Sequence, residues 1–509
     1  MKELLEIKPL LQADECPEVY QKMEKSCEEI EKKVVTGIYE ESGAEREILS
    51  LLSTELMYDS YFIYLLSFVV KCFKKAAHME LLCDLIVTNE YMSILEKKFA
   101  LYSLKAILIK CPELETTNVT NWLAALENEI REYFFSIFKI RRQPKELREQ
   151  GKVLVVTHGF LGENHPVSRS ALERCVSLQR NMGKQVQLVS TGEDSTMENA
   201  IPLYHLETRN RNEQFNGRTV YGYGDEEISI YQQHNPADNL DGVQQLLEYV
   251  IAENPEFVVY VGEQSVIADL INNFCPVLAV STTFSVIQRT HTEFVMVGRT
   301  VSGAERTQSY GEIIEALFTF RLKGKKHTYT RDELGFPEDK FILAVVGTRL
   351  DDDVSFEFLN EMKEVIENGC YLLFIGKYNQ YSQHCEKLQW LKENSKALGM
   401  VSDVTGILEC TDLYVNPYRL GGGYSVAEAF DAGIPAVTIS YGDVATASGE
   451  NFWVKDYSEM KEQIRKYQKD KVFYCKMKEF ARRRLEEITK EEISFSKAIS
   501  TMYASERYY

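Results

Sequence analysis

The chain has 509 residues, 44% hydrophobic and 27% charged, and a net charge of −19. That length exceeds what one hydrophobic core organises, so two to four domains are expected. The acidic balance argues against a nucleic-acid binder, no apolar run approaches the roughly 18–20 residues that span a bilayer, and the acidic start MKELLEIKPLLQADE is unlike a secretory signal.

Residues 1–148 read as an all-helical domain. Glycine is almost absent there, and apolar residues recur at three- and four-residue steps, as in LLSFVVKCFKKAAHMELLCDLI. REYFFSIFKIRR (Arg131–Arg142) mixes aromatic and basic residues. That pattern reads first as a solvated helix face, with contact to an anionic membrane surface as the alternative, and Arg482–Arg484 carries the same pair of readings. RRQPKELREQGK (Arg141–Lys152) is a polar hinge.

From Lys152 the texture changes to strands alternating with helices of roughly 10–15 residues, the signature of βαβ units around a parallel sheet. VLVVT (Val153–Thr157) is apolar throughout, which predicts a strand covered on both faces. QVQLVST, FVVYVG, PVLAVST and FVMVG follow as strands, and the polar stretch Thr208–Asn239 reads as an irregular insertion near a cleft. A second unit of the same kind begins after Lys323–Lys340. It runs through FILAVVG, YLLFIG, DLYVNP and PAVTIS, and the chain turns helical again from Glu459. The domains expected are 1–148 helical, 149–326 and 327–475 doubly wound, and 476–509 a helical tail. A ligand then belongs in the cleft between the two doubly wound units, outside the carboxyl ends of their strands.

The 11 cysteines are scattered without paired spacing, which predicts reduced thiols in a cytoplasmic protein and no zinc site. Gly421, Gly422 and Gly423 stand between a strand and a small-residue helix. Glycines there let the backbone approach an anion, and the helix start offers unpaired N–H groups with partial positive charge. Glu428, among Ala427, Ala429 and Phe430, is a carboxylate on a buried helix, suited to ribose hydroxyls. Arg349, after the strand end Val346-Gly347-Thr348, suits a diphosphate or, equally, an ion pair with Asp351, Asp352 or Asp353. Those aspartates read as a helix cap before a metal site.

RDELGFPEDKFILAVVGTRL (Arg331–Leu350), FIGKY (Phe374–Tyr378), GMVSDVTGILECTDLYVNPY (Gly399–Tyr418) and LGGGYSVAEAFDAGIPAV (Leu420–Val437) together resemble GT-B fold glycosyltransferases of the family-4-like branch, glycosyl transferases group 1. The resemblance implies two Rossmann-like α/β domains and transfer of a hexose from a nucleotide diphosphate sugar, UDP-linked, to a glycan or protein acceptor. It implies a donor set of Arg349, Lys377, Arg419, Gly421, Gly422, Gly423, Tyr424 and Glu428. In such enzymes cations and helix dipoles replace a metal, and no separate cofactor is needed. His158, His165 and Glu263, in loops after strands of the first unit, are the candidate catalytic groups. His158 and His165 have capping or buried structural roles as their alternative. One departure stands out. The family places two glutamates eight apart around the glycines, and Leu420 occupies the first position. A leucine accepts no hydrogen bond from a sugar hydroxyl. This keeps open a non-catalytic GT-B-like partner that binds protein through its helices, and more remotely a nucleotide-sugar epimerase.

Overall fold

The computed structural model describes residues 1–53, 58–193, 203–204, 211–307 and 309–509. The N-terminal helices include Pro17–Val35, Asp59–Phe73, Ala76–Thr88, Ile94–Lys110 and Thr117–Ile137. No described helix is long and apolar enough to cross a membrane.

The first sheet holds β1 (Glu149–Thr157), β2 (Gln185–Ser190), β3 (Gly217–Tyr223), β4 (Glu226–Gln232), β5 (Pro255–Val261), β6 (Val277–Val280), β7 (Phe294–Val297) and β8 (Glu312–Glu315). Their spatial order is β3-β4-β2-β1-β5-β6-β7-β8. The second holds β9 (Phe341–Val346), β10 (Cys370–Ile375), β11 (Ser395–Ala397), β12 (Leu413–Asn416), β13 (Ala436–Ile439) and β14 (Trp453–Val454), in the order β11-β10-β9-β12-β13-β14. All pairings are parallel except β3 with β4.

The run VLVVT is apolar throughout because both faces of β1 are covered. Val153 and Val155 enter the core shared by the sheet domains. Leu154 and Val156, one residue out of phase, enter the core that also holds the N-terminal helices. The helical domain is therefore packed onto the first sheet. Lys98 and Lys105, on the helix Ile94–Lys110, bond the Glu193 carbonyl and Gln264 near the carboxyl ends of β2 and β5.

Two readings change. The stretch expected to be an irregular insertion carries the hairpin β3–β4. Residues 208–210 of it lie outside the described set. YSQHCEKLQWLKEN forms two short helices, Tyr381–Lys387 and Gln389–Glu393, not one. The last helices, Lys471–Ile488 and Glu491–Ala504, carry the chain back to the first sheet domain. Phe320 N–H donates to the Ile488 carbonyl at 2.8 Å, and the Tyr508 hydroxyl donates to Glu256 at 3.1 Å.

Candidate functional site in the interdomain cleft

Strand β12 ends at Asn416, and the chain loops through Leu420 into the helix Gly423–Asp431. Gly422 caps that helix at φ 104°, a left-handed conformation that glycine adopts without strain. No described hydrogen bond is donated by the N–H of Gly421, Gly422, Gly423 or Tyr424. These are the orphan donors that helix geometry leaves at an N-terminus. Arg349 lies beside them, its Nη2 3.6 Å from where a Cβ on Gly421 would sit.

Arg349 is exposed, and none of its three candidate ion-pair partners holds it. Asp351 accepts from Asn379 Nδ2 at 2.9 Å and Gln380 N–H at 2.7 Å. Asp353 pairs with Arg419 Nη1 at 3.0 Å. Ser355, not the aspartates, caps the helix Phe356–Glu367. Among the described residues no group of three or more His, Cys, Asp or Glu is placed to hold a metal.

Arg419 stands apart from the other expected cations. It is 6% exposed, and Nε, Nη1 and Nη2 bond Asn416, Asp353, Tyr414 and Ser425. Its guanidinium packs against the glycine loop, Cζ 3.0 Å from where a Cβ on Gly422 would sit, with its N–H groups engaged by these partners. Lys377 is exposed at the end of β10. Nearby, a Cβ on Gly376 would collide with the Gly347 carbonyl, so the ends of β9 and β10 meet backbone to backbone.

Beside Arg349 and Leu420 a cavity of ≈ 630 Å³ opens, within the usual range for small-molecule sites. Tyr418 and Tyr441, stacked 4.3 Å apart at 4°, form one wall. Lys74, Pro112 and Glu113 bring the helical domain into its lining.

The first sheet domain closes over the glycine helix from its other flank. The Phe284 ring lies 2.6 Å from where a Cβ on Gly423 would sit. Tyr424 donates its hydroxyl to Glu173 and stacks under the Arg169 guanidinium at 3.8 Å, with Phe320 edge-on at 4.8 Å. Tyr424 thus joins the domains. The sequence gives no local signal for Phe284, Glu173 or Arg169, because each reaches the motif from more than 130 residues away.

Glu428 is half-buried, and no described donor reaches its carboxylate. Burial pushes its pKa up to about 7, Asp431 adds to the rise, and Arg169 and Lys323 oppose it. The folded protein holds this proton up to about 7, whereas an ordinary glutamate releases it near 4.5. Between those values the folded state binds more protons than the unfolded chain, so stability is full below 4.5 and declines as pH rises. Glu428→Gln is expected to remove about 1–2 kcal/mol of that decline. Urea midpoints at pH 5 and pH 7.5 measure it, and an unchanged slope would mean that Glu428 is solvated.

The candidate catalytic groups separate. His158, at the end of β1, is 3% exposed and bonded to the Tyr260 hydroxyl, with Glu193 3.7 Å from Nδ1. His165 caps the helix Pro166–Met182 through Nδ1. Glu263, after β5, is half-buried and accepts from Thr282 Oγ1 at 2.5 Å.

Two Rossmann-like domains that meet at the glycine helix, with a helical domain packed on the first, constitute the GT-B architecture. Residues 341–470 match the family model of glycosyl transferases group 1. An O-GlcNAc transferase mutant of Thermobaculum terrenum superposes with a TM-score of 0.53 at 13% identity, covering 100% of this chain and 98% of that one. HepE of Anabaena, solved with UDP, gives 0.48 at 10% identity, and a Rickettsia africae glycosyltransferase 0.49 at 11%. Each covers 70% of this chain, and 100% and 99% of its own. No curated protein matches by sequence.

Proposed function

We propose that this protein transfers a hexose from a nucleotide diphosphate sugar, UDP-linked, to a hydroxyl or amide of a glycan or protein acceptor, in the cytoplasm and without a metal. One observation carries the reading. Arg349, exposed, lining the cavity and without a described ion pair, stands beside Gly421 at the start of the run Gly421–Tyr424, whose N–H groups no described residue claims.

As the bond from sugar to diphosphate breaks, negative charge grows on the leaving oxygen. A guanidinium and oriented amides stabilise it without reorganising. The Glu428 carboxylate suits ribose hydroxyls, which would supply hydrogen bonds that no described residue gives it. Of the three catalytic candidates, Glu263 and His165 remain half-exposed near the crevice, while His158 is spent in the interior. The helical domain contributes Lys74, Pro112 and Glu113 to the cavity lining, which suits an acceptor carried on a protein.

The non-catalytic reading draws support from Phe284, whose ring covers one flank of the helix N-terminus. Incubation with UDP-glucose and with UDP-N-acetylglucosamine, assayed for UDP release, separates the two. Release above the spontaneous rate supports transfer. Silence across donors, with tight binding to another protein, supports the partner.

A further inference from the structure

Leu420 leaves the glycine loop without the carboxylate that would accept a sugar's hydroxyls. A carboxylate nevertheless lies against that loop, contributed by the next strand. The turn after β13 folds flush onto Leu420. A Cβ on Gly442 would collide with the carbonyls of Arg419 and Leu420, and the Asp443 N–H donates to the Leu420 carbonyl at 2.7 Å. The Asp443 side chain is 2% exposed. Its Oδ1 accepts two bonds from Ser285 of the first sheet domain, N–H at 3.0 Å and hydroxyl at 2.6 Å, and its Oδ2 accepts none from a described residue.

The surroundings are those of a polar subsite. Glu263, Thr282 and Ser285 follow β5 and β6, and Leu420 and Asp443 follow β12 and β13. All lie past the carboxyl ends of parallel strands, where α/β folds bind ligands. A salt bridge would explain a buried aspartate as a structural strut, but no described cation pairs with Asp443. Burial, with Glu263 adding to it, pushes the Asp443 carboxyl up to about 7. Its only described side-chain partner is one serine supplying an O–H and an N–H to one oxygen, as a pair of sugar hydroxyls would.

Resting on the donor site proposed above, we propose that Asp443 recognises the hydroxyls of the donor's sugar in place of the Leu420 position, and that Ser285 occupies it until the donor arrives. The loop from β6 to β7 that carries Ser285 then yields as the sheet domains adjust about the ligand, a motion of the kind that gates many transferases. The two partners of one hydrogen bond acquire opposite effects. Asp443 favours the sugar and Ser285 competes with it.

Calorimetric titration of UDP, UDP-glucose and UDP-N-acetylglucosamine into the full chain tests this. In Asp443→Asn, which keeps the shape and an acceptor for Ser285, the affinity for at least one sugar nucleotide is expected to fall about tenfold while UDP stays within about twofold, the loss of a charged acceptor. In Ser285→Ala the same sugar nucleotide is expected to bind more tightly, with UDP again unmoved. If Asp443 only latches the domains, both variants shift UDP and its sugars in the same direction by the same factor, and the inference falls. It falls also if Asp443→Asn binds every ligand as the unaltered protein does. Failure of the unaltered protein to bind UDP overturns the donor site itself, and this inference with it. Ser285→Ala removes the hydroxyl but keeps the Ser285 N–H bond to Asp443, so it decides the matter even where Asp443→Asn does not fold.

Discussion

Arg349→Ala is expected to weaken UDP binding by roughly 100-fold while leaving the protein's unfolding where it was. The first half follows from charge. A guanidinium that meets a diphosphate with two N–H donors makes two charged hydrogen bonds, each worth about 1.5–3 kcal/mol, and about 2.7 kcal/mol corresponds to a factor of 100. The second half follows from exposure. The Arg349 side chain has no described hydrogen bond or ion pair, and surface substitutions of that kind stay within about 0.5 kcal/mol. Arg349→Lys is expected to fall between, since an ammonium keeps the charge but lacks the planar fork. Titration with UDP beside a urea unfolding curve measures both halves. Unaltered affinity in Arg349→Ala removes the diphosphate from this end of the helix.

The contrast with Arg419 shows how far the sequence could be read. Both arginines follow strand ends and flank glycines, and on the sequence alone both look like cations for the same anion. What separates them is Asp353, 66 residues from Arg419 in sequence and 3.0 Å away in space. No local pattern carries that distance. The strands β1, β5 and β9 were legible because burial on both faces forces an unbroken apolar run. The hairpin β3–β4 was not, because GRTVYGY lies at a sheet edge with alternate residues exposed, amid polar neighbours. Its turn residues Gly224-Asp225 were the available signal. Strands β11 and β14, three and two residues long, are too short to show a period. The glycine loop was legible since it is a backbone device written in consecutive residues. The first sheet domain's share of the cleft, Phe284, Ser285 and Arg169, depends on how two domains close and has no counterpart in any one stretch of chain.

Arg419→Met is expected to destabilise the second sheet domain by about 3–5 kcal/mol, the cost of breaking a buried pair by removing one partner. The side chains of Arg419 and Asp353 are 3% and 9% exposed, so methionine leaves a carboxylate with little water to repair the loss. Asn416, Tyr414 and Ser425 each lose a donor in the same step. Burial alone does not make the pair stabilising, since desolvation offsets much of its attraction. An apolar replacement of both partners should therefore cost less than the single change. The double variant Arg419→Met with Asp353→Leu is expected to recover part of the urea midpoint. It should not recover UDP binding, because Gly422 rests on this guanidinium, with the Arg419 Cζ 3.0 Å from where its Cβ would be. Loss of that support lets the loop before the helix relax, and the N–H groups lose their common aim. Arg349 thus acts on affinity alone, whereas Arg419 acts on stability and through it on affinity. A double variant that regains both stability and UDP binding would show that the loop holds its shape without Arg419 and that the buried pair serves only the core beneath it.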